Sequence, residues 1–148
     1  MKNADERKLK VSFRKITSTD FDFLWLLHNA ALKEYVEKTW GWDENRQREL
    51  FAEGFDTNNG EIIVVGGADA GYLCTIEKEA ATLLVSIRIL PEYQNRGIGT
   101  KIIKDVSAKS KKHVRLQVLK INPAQNLYRK LGFETVGETE THFLMQTK

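Results

Sequence analysis

Residues 83–106 read LLVSIRILPEYQNRGIGTKIIKDV, and the fold prediction is anchored on this stretch. It begins with an apolar run typical of a buried strand and ends with an amphipathic helix. A polar loop with two glycines, Gly97 and Gly99, lies between them. The first turn of a helix presents unpaired backbone N–H groups and the positive end of the helix dipole. A strand, a glycine loop and a helix in this order therefore predict an anion site.

Two familiar phosphate motifs do not match this loop. A dinucleotide fingerprint needs a third glycine where Ile102 stands, and the spacing and Gly-Lys-Ser/Thr end of a P-loop are absent. The loop instead has the pattern Q-x-R-G-x-G. We interpret it as a cradle for a pyrophosphate, formed by Gln94, Asn95, Arg96, Gly97, Ile98, Gly99 and Thr100.

Composition places the chain among ordinary globular proteins. We expect one domain over residues 1–148, with a charged and flexible segment at 1–10. Hydrophobic residues make up 41% and charged residues 29%, which excludes a disordered chain. No apolar run approaches the about 18 residues of a membrane span, and the first ten residues do not resemble a secretory signal.

Net charge and cysteine content indicate which binding partners and which cellular compartment to expect. A net charge of +3, from 23 basic and 20 acidic residues, is too balanced to indicate nucleic-acid binding. The single cysteine, Cys74, allows no intrachain disulfide, which fits a reducing compartment. We therefore predict a cytoplasmic location, with neither a membrane nor a nucleic-acid partner and no metal site.

Hydrophobic periodicity predicts an α/β (α+β) mixed sheet of about seven strands with four helices. We expect a helix after residue 20, capped by Thr19 with Asp22, and a second helix from Asp43 to Gly54. Apolar spacing gives the first helix the stripe Phe21, Leu24, His28, Ala31 and Tyr35. Residues 66–71 are predicted as a loop, and residues 81–90 as a central strand apolar on both faces. The remaining predicted strands are 11–16, 61–65, 72–77, 113–119, 133–136 and 141–145, and the remaining helices 97–110 and 123–131.

A second segment, residues 119–133, reads LKINPAQNLYRKLGF. Together with the glycine loop it resembles the GNAT superfamily of N-acetyltransferases, in which an asparagine, an alanine and a tyrosine precede a Gly-Phe pair. Asn122, Ala124 and Tyr128 are the matching residues here.

The resemblance implies acetyl-CoA as the cofactor and central strands that splay apart where it binds. In the family, the pantetheine arm pairs with the backbone of the central strand, which corresponds to Ile87, Arg88 and Ile89 here. Asn122, Ala124 and Tyr128 are implied to contact the cofactor as well, and Lys101, the lysine nearest the loop, to meet its 3′-phosphate.

The implied reaction is the attack of a neutral amine on a thioester. It needs a deprotonated amine, donors for the oxyanion and a proton for the leaving sulfur. Tyr128 is our candidate for the proton donor. Family members often carry a glutamate at the start of the central strand, where this chain has Leu83 and its neighbours. The general base stays open among His28, Glu34, Tyr35, Glu77 and His142, with water-relayed deprotonation or an amine already neutral as further possibilities.

In this superfamily the first two helices and their connection shape the acceptor pocket. Aromatic rings beside carboxylates suit an ammonium group, and we predict substrate contacts from Glu34, Tyr35, Trp40 and Trp42. The expected acceptor is the primary amine of a cationic small molecule. Two alternatives are an acetyltransferase of protein or peptide amino groups and a non-catalytic acyl-CoA sensor. By analogy, a homodimer is possible.

Overall fold

The computed structural model describes residues 10–55 and 59–148, and within them seven strands form one mixed sheet in the order β1-β2-β3-β4-β5-β7-β6. The strands are β1 (Val11–Lys15), β2 (Gly60–Val65), β3 (Ala68–Glu77), β4 (Ala81–Ile89), β5 (His113–Leu119), β6 (Phe133–Glu138) and β7 (His142–Thr147). Four α-helices accompany them: α1 (Phe21–Trp40), α2 (Glu44–Glu53), α3 (Ile98–Lys109) and α4 (Ala124–Lys130). Two short 3₁₀ helices cover Ser18–Asp20 and Pro91–Tyr93. The predicted class is confirmed. The part of the predicted flexible segment that covers residues 1–9 lies outside the described residues.

The pairing of β4 with β5 is parallel, and α3 is the crossover that such a connection requires. The register consists of three pairs: Ala81 with His113, Thr82 with Val114 and Leu83 with Arg115. β4 nevertheless continues to Ile89. Within the described chain, the later half of β4 thus lies beyond the end of this register, as the splayed strands of the resemblance imply.

The chain divides into two compact units. The first contains the described residues up to Cys74 together with Ser86–Ile98, and its core is built on Ile16, Leu24, Leu27 and Ile62. The second contains Thr75–Val85 and Gly99–Lys148, and its buried side chains include Val114, Leu116, Val118, Phe133 and Met145. The single-domain expectation stays a prediction.

The start of α1 differs from the predicted cap. The capping box contains Thr17 and Asp20 rather than Thr19 and Asp22, and it begins the 3₁₀ helix Ser18–Asp20 that precedes α1. The Oδ2 of Asp20 accepts a hydrogen bond of 2.8 Å from the backbone N–H of Thr17. Arg14 donates to both carboxylate oxygens of Asp20, at 2.9 and 3.0 Å, and also contacts Asp69. The prediction failed because Arg14 and Asp69 lie on strands, and the local cap pattern contains no information about them.

The buried stripe of α1 also differs from the prediction. Leu24 is buried as expected, but Leu27 and Val36 are buried too, and neither was in the predicted stripe. His28 and Tyr35 are only half-buried. The buried face of α1 therefore lies closer to Leu27 than predicted, because Leu24 and Leu27 pack in one cluster with Ile16 and Ile62.

Two strand predictions need correction. Residues 66–71 are not a loop, since the turn is confined to Gly66 and Gly67 and β3 begins at Ala68. A register shift between Ile63 and Val64 accommodates the longer strand. β4 is central, as predicted, but it is not buried on both faces, because the side chain of Val85 is 54% exposed.

Replacing Asp20 by alanine is expected to lower the free energy of unfolding by about 2 kcal/mol, because a cap and a charged hydrogen-bonded pair are lost together. The hydrogen bonds from Arg14 lower the pKa of Asp20 from 3.8 to about 2. A carboxyl group whose pKa is lower in the folded than in the unfolded state stabilises the fold. Its contribution is complete above the pKa of the unfolded state and is lost as the pH falls through the pKa of the folded state, about 2. Urea denaturation should therefore show a larger difference in the free energy of unfolding between the wild type and Asp20→Ala at pH 6 than at pH 3.

Asp22→Ala is the matched control, because this side chain is 92% exposed and its carboxylate lies 3.7 Å from the guanidinium of Arg48. We expect a change within about 0.5 kcal/mol for this variant. Equal losses for the Asp20 and Asp22 variants would contradict the role assigned to the Arg14–Asp20 pair.

Candidate active site

The loop after β4 has the backbone of an anion cradle. Gly97 has a φ of 79° and Asn95 a φ of 63°, so two of its residues lie in the left-handed region. Alternation of this kind turns successive N–H groups toward a common point, where an anion can bind. The side-chain amide of Gln94 donates a hydrogen bond of 2.9 Å to the carbonyl oxygen of Ile89, which fixes the loop to the end of β4.

Residues at the start of α3 divide between core and surface. The side chain of Ile98 is buried, so only its backbone is available to a ligand. Gly99 and Thr100 are half-buried, and Lys101 is exposed. This helix has twelve residues, and its first N–H groups have no partner within the helix itself. The loop and helix start therefore present backbone donors and a nearby cation, which fits a pyrophosphate.

The predicted donor-binding part of β4, Ile87 to Ile89, is half-buried and runs close to β3. A Cβ atom added to Gly71 would overlap the carbonyl oxygen of Arg88 and lie 3.2 Å from the Cα of Ile89. The backbone N–H of Leu90 donates to the carbonyl oxygen of Ala70 at 2.8 Å. Glycine is thus required at residue 71 because the two backbones approach too closely for any side chain.

The second predicted segment forms the entry to α4. Asn122 Oδ1 accepts a hydrogen bond of 2.9 Å from the backbone N–H of Ala124, the first residue of this helix, and Pro123 occupies the N-cap position between them. Tyr128 is half-buried, and its ring centroid lies 5.7 Å from that of Phe133. The Gly-Phe pair that follows the helix therefore fixes the orientation of the tyrosine ring.

An aromatic cluster formed by Trp25, His28, Trp42 and Phe51 joins α1, α2 and the loop between them. The ring of His28 stacks on Trp25 with centroids 5.8 Å apart and planes at 21°. Phe51 and Trp42 lie 5.1 and 6.3 Å from the same imidazole. The predicted substrate contacts included Trp42 of this cluster but neither Trp25 nor Phe51. The available signal was the spacing of three residues between Trp25 and His28, which puts both on one face of a helix.

The predicted substrate residues are only partly brought together. Trp42 belongs to the aromatic cluster, its indole N–H donates to Glu44 at 2.6 Å, and the Lys33 ammonium lies 5.5 Å from its ring centroid. Trp40 is 58% exposed at the end of α1. Glu34 is exposed and accepts a hydrogen bond of 3.1 Å from Lys38.

The candidates for the general base have different surroundings. Burial, assisted by the charge of Arg88, lowers the pKa of His28 to about 4. Glu77 accepts a hydrogen bond of 2.9 Å from Thr82, at the end of β4 away from the glycine loop. Nδ1 of His142 is 2.8 Å from the hydroxyl oxygen of Thr141. Of these three candidates, His28 is the one that belongs to the aromatic cluster.

The predicted site residues fall into both compact units. The first unit holds Gln94 to Ile98, Ile87 to Ile89, and the aromatic cluster. The second holds Gly99 to Lys101 and the α4 segment with Asn122, Ala124 and Tyr128. A central strand that leads into a loop and helix start of this kind is typical of proteins that bind a cofactor with phosphate groups.

A family profile confirms the resemblance. The family described as "Acetyltransferase (GNAT) domain" matches residues 57–135, which is more than half of the chain. The chain belongs to the GNAT family of acetyltransferases. It is therefore an N-acetyltransferase that uses acetyl-CoA.

Two curated relatives agree with this assignment. The chain is 44% identical over 127 residues to the mouse (Mus musculus) thialysine N-epsilon-acetyltransferase, covering 80% of this chain and 75% of the relative. It is 30% identical over 134 residues to the [ribosomal protein bS18]-alanine N-acetyltransferase of Haemophilus influenzae, with 87% and 85% covered. Both relatives transfer acetyl groups to nitrogen, one by name to thialysine and the other to an alanine of a ribosomal protein.

Solved structures share the fold. The PaiA N-acetyltransferase from Thermoplasma acidophilum, solved with coenzyme A, superposes with a TM-score of 0.74 at 16% identity. The match covers 95% of this chain and 99% of that chain.

Within residues 10–55 and 59–148, no helix is long and apolar enough to cross a membrane.

Proposed function

We propose that the protein transfers the acetyl group of acetyl-CoA directly to the primary amine of a small molecule that is protonated in solution. The observation that carries this proposal is the aromatic face of Trp42, on which the Lys33 ammonium lies 5.5 Å from the ring centroid. Cation–π attraction favours an alkylammonium group on this face, and the ammonium of an acceptor would take the place of Lys33 there. The relative that acts on thialysine, itself a small amine, supports the same acceptor class.

We assign the following roles in cofactor binding and acetyl transfer to residues of this chain. The loop from Gln94 to Gly97 and the start of α3 hold the pyrophosphate through backbone N–H groups, with Lys101 near the 3′-phosphate. The β4 backbone near Arg88 aligns the thioester arm and supplies an N–H to the developing oxyanion. Acetyl-CoA provides an electrophilic carbonyl carbon: its bond to nitrogen forms, its bond to sulfur breaks, and the nitrogen releases one proton to water. Tyr128 gives a proton to the departing sulfur.

A second candidate is acetylation of a protein or peptide amino group, favoured by the likeness to the ribosomal-protein alanine acetyltransferase. The aromatic cluster could also receive the side chain of an N-terminal residue. The two candidates differ in the acceptor and share the donor site.

Transfer of isotopically labelled acetyl from acetyl-CoA tests the proposal. Two purified acceptors should be compared at equal concentration, thialysine and a peptide that begins with alanine, alongside a cell extract divided into small-molecule and protein fractions. We expect label on thialysine and in the small-molecule fraction, in excess of a reaction without the protein. Label on the peptide and the protein fraction alone would establish the second candidate instead.

Replacing Trp42 by alanine is expected to raise the KM for the acceptor about tenfold, which corresponds to about 1.4 kcal/mol, since the aromatic face is lost. The KM for acetyl-CoA should change less than about twofold, because Trp42 lies on the α1–α2 connection rather than on the glycine loop. Steady-state kinetics with each substrate varied in turn would measure both constants.

Trp42→Phe and Leu50→Ala are the controls. The first keeps an aromatic ring in the cluster and should retain most of the acceptor affinity. The second removes an exposed apolar side chain from α2, and both constants should stay near those of the wild type. Equal increases of the two KM values in Trp42→Ala would contradict an acceptor role for this residue.

A further inference from the structure

The ring of Trp42, on which we place the ammonium of the acceptor, is in contact with a lysine of this chain. The Lys33 ammonium lies over the ring, 5.5 Å from its centroid. Lys33 belongs to α1, and its side chain is exposed. An ammonium group on a flexible alkyl chain is also what a small cationic amine such as thialysine would bring to the ring. Lys33 therefore occupies the ring as an acceptor would, and one face cannot hold both.

The position of the Trp42 ring is fixed by its neighbours. The ring stacks on Trp25, with centroids 6.4 Å apart and planes at 28°, and lies 6.3 Å from the imidazole of His28. Its indole N–H donates to Glu44 at 2.6 Å, so a negative charge at the edge of the ring adds to the attraction for a cation. Trp42 is only half-buried, which leaves part of the ring open to a ligand from solvent.

The contact between Lys33 and Trp42 is weak enough to be displaced. On the same helix, Lys38 pairs with the carboxylate of Glu34 at 3.1 Å, whereas Lys33 places its ammonium over the ring. A cation–π contact at an exposed site gives a modest attraction, and a lysine side chain has a flexible four-carbon stem. The ammonium can therefore move into water without a change in the α1 backbone. An incoming ammonium regains the attraction that Lys33 gives up.

We propose that Lys33 is an internal competitor of the acceptor, which covers the Trp42 ring until the ammonium of an acceptor displaces it. This inference rests on the acceptor class proposed above and adds a contact that sets the affinity for it. Because an acceptor binds only the fraction of molecules in which the ring is uncovered, the apparent KM is raised by the reciprocal of that fraction. The donor site is assigned to other residues, so the KM for acetyl-CoA is not affected.

Removing the lysine side chain should therefore improve acceptor binding. Lys33→Ala is expected to lower the KM for thialysine about threefold, the size expected for the loss of one exposed cation–π contact. The turnover number and the KM for acetyl-CoA should stay within about twofold of the wild type. Lys33→Arg keeps a cation that stacks on aromatic rings and should not lower the KM for thialysine. Lys38→Ala removes a lysine of the same helix that lies beside Glu34 rather than Trp42, and this KM should stay near that of the wild type.

A double-mutant cycle separates displacement from general repulsion between two positive charges. In a Trp42→Ala background there is no ring for Lys33 to cover, so Lys33→Ala should no longer change the KM for thialysine, or kcat/KM where the variant does not saturate. Repulsion would act in both backgrounds alike. Equal improvements in the two backgrounds, or an unchanged KM in Lys33→Ala alone, would overturn the role assigned to Lys33.

A measurement independent of turnover observes the contact directly. An indole ring current shields protons that lie over the ring, so the Hε resonances of Lys33, identified by their loss in Lys33→Ala, should lie upfield of ordinary lysine resonances. Thialysine should move them to the ordinary position. If the wild type acetylates the alanyl peptide and not thialysine, the proposed acceptor class fails, and the titration is made with the peptide instead. Lys33 resonances that stay shielded at saturation with the acetylated acceptor would refute the competition.

Discussion

Tyr128→Phe is expected to lower the turnover number about 100-fold, inside the range found for groups that transfer a proton in the transition state. The departing sulfur leaves as a thiolate unless it receives a proton, and a phenol can supply one near neutral pH. Phenylalanine keeps the ring that packs at 5.7 Å from Phe133, so α4 should retain its place. The substitution therefore removes the hydroxyl and little else.

Rapid-quench measurements of the first turnover give the chemical step separately from product release. The affinity for acetyl-CoA, measured by calorimetry, should be nearly unchanged in Tyr128→Phe. Tyr93→Phe is the matched control, because Tyr93 lies before the glycine loop with the Arg96 guanidinium 5.7 Å from its ring centroid. This variant should turn over within about twofold of the wild type. A chemical step in Tyr128→Phe within threefold of the wild type would remove Tyr128 from the mechanism.

The second large effect is expected at Gly71. Adding a single methyl group there should lower the free energy of unfolding by about 3 kcal/mol, near the upper end of the usual cost of overpacking. The methyl carbon would overlap the carbonyl oxygen of Arg88, which belongs to the backbone and cannot rotate away. β3 and β4 would have to separate at Ile89 and Leu90, where a backbone hydrogen bond of 2.8 Å joins Leu90 to Ala70.

Gly54→Ala is the control for this prediction. Gly54 ends α2, its φ is −89°, and an added Cβ would meet the nearest atom at an ordinary 3.6 Å. Alanine there should change the stability by less than about 1 kcal/mol, because it also restricts the unfolded chain. Urea denaturation of both variants gives the comparison. If Gly71→Ala were as stable as Gly54→Ala, the result would contradict the close approach of the β3 and β4 backbones at Gly71.

Local sequence was a good guide wherever the structure depends on neighbours in the chain. Asp43 caps α2 as predicted, since its side chain accepts a hydrogen bond of 3.1 Å from the N–H of Arg46. β5 has the predicted bounds, and α3 begins within one residue of its prediction. Gly97 adopts a positive φ, which side-chain-bearing residues tolerate poorly. Each of these features arises from backbone sterics or from hydrogen bonds within one turn.

Predictions were weaker wherever the outcome depends on distant residues. The capping box was assigned to Thr19 and Asp22, although Asp20 supplies its carboxylate one 3₁₀ turn before α1. The sequence pattern missed this because Arg14, which binds Asp20, and Asp69, which binds Arg14, lie on strands outside the local cap pattern. Residues 66–71 were predicted as a loop from their glycines. Gly71 instead lies in β3, where its lack of a side chain permits the close approach of Arg88. A glycine pattern alone cannot distinguish a turn from such a backbone contact.

For the candidate site, the sequence by itself determined the donor side. The spacing of glycines before a helix and the Asn122, Ala124 and Tyr128 pattern are local features that identify the family. Only the tertiary structure showed the aromatic cluster that we propose as the acceptor side, in which Trp25 and His28 of α1 pack against Trp42 and Phe51. Periodicity shows which face of a helix is apolar but not which residues pack on it. The burial of His28 Nδ1 and the pKa of the ring result from that packing, and no local pattern contains them.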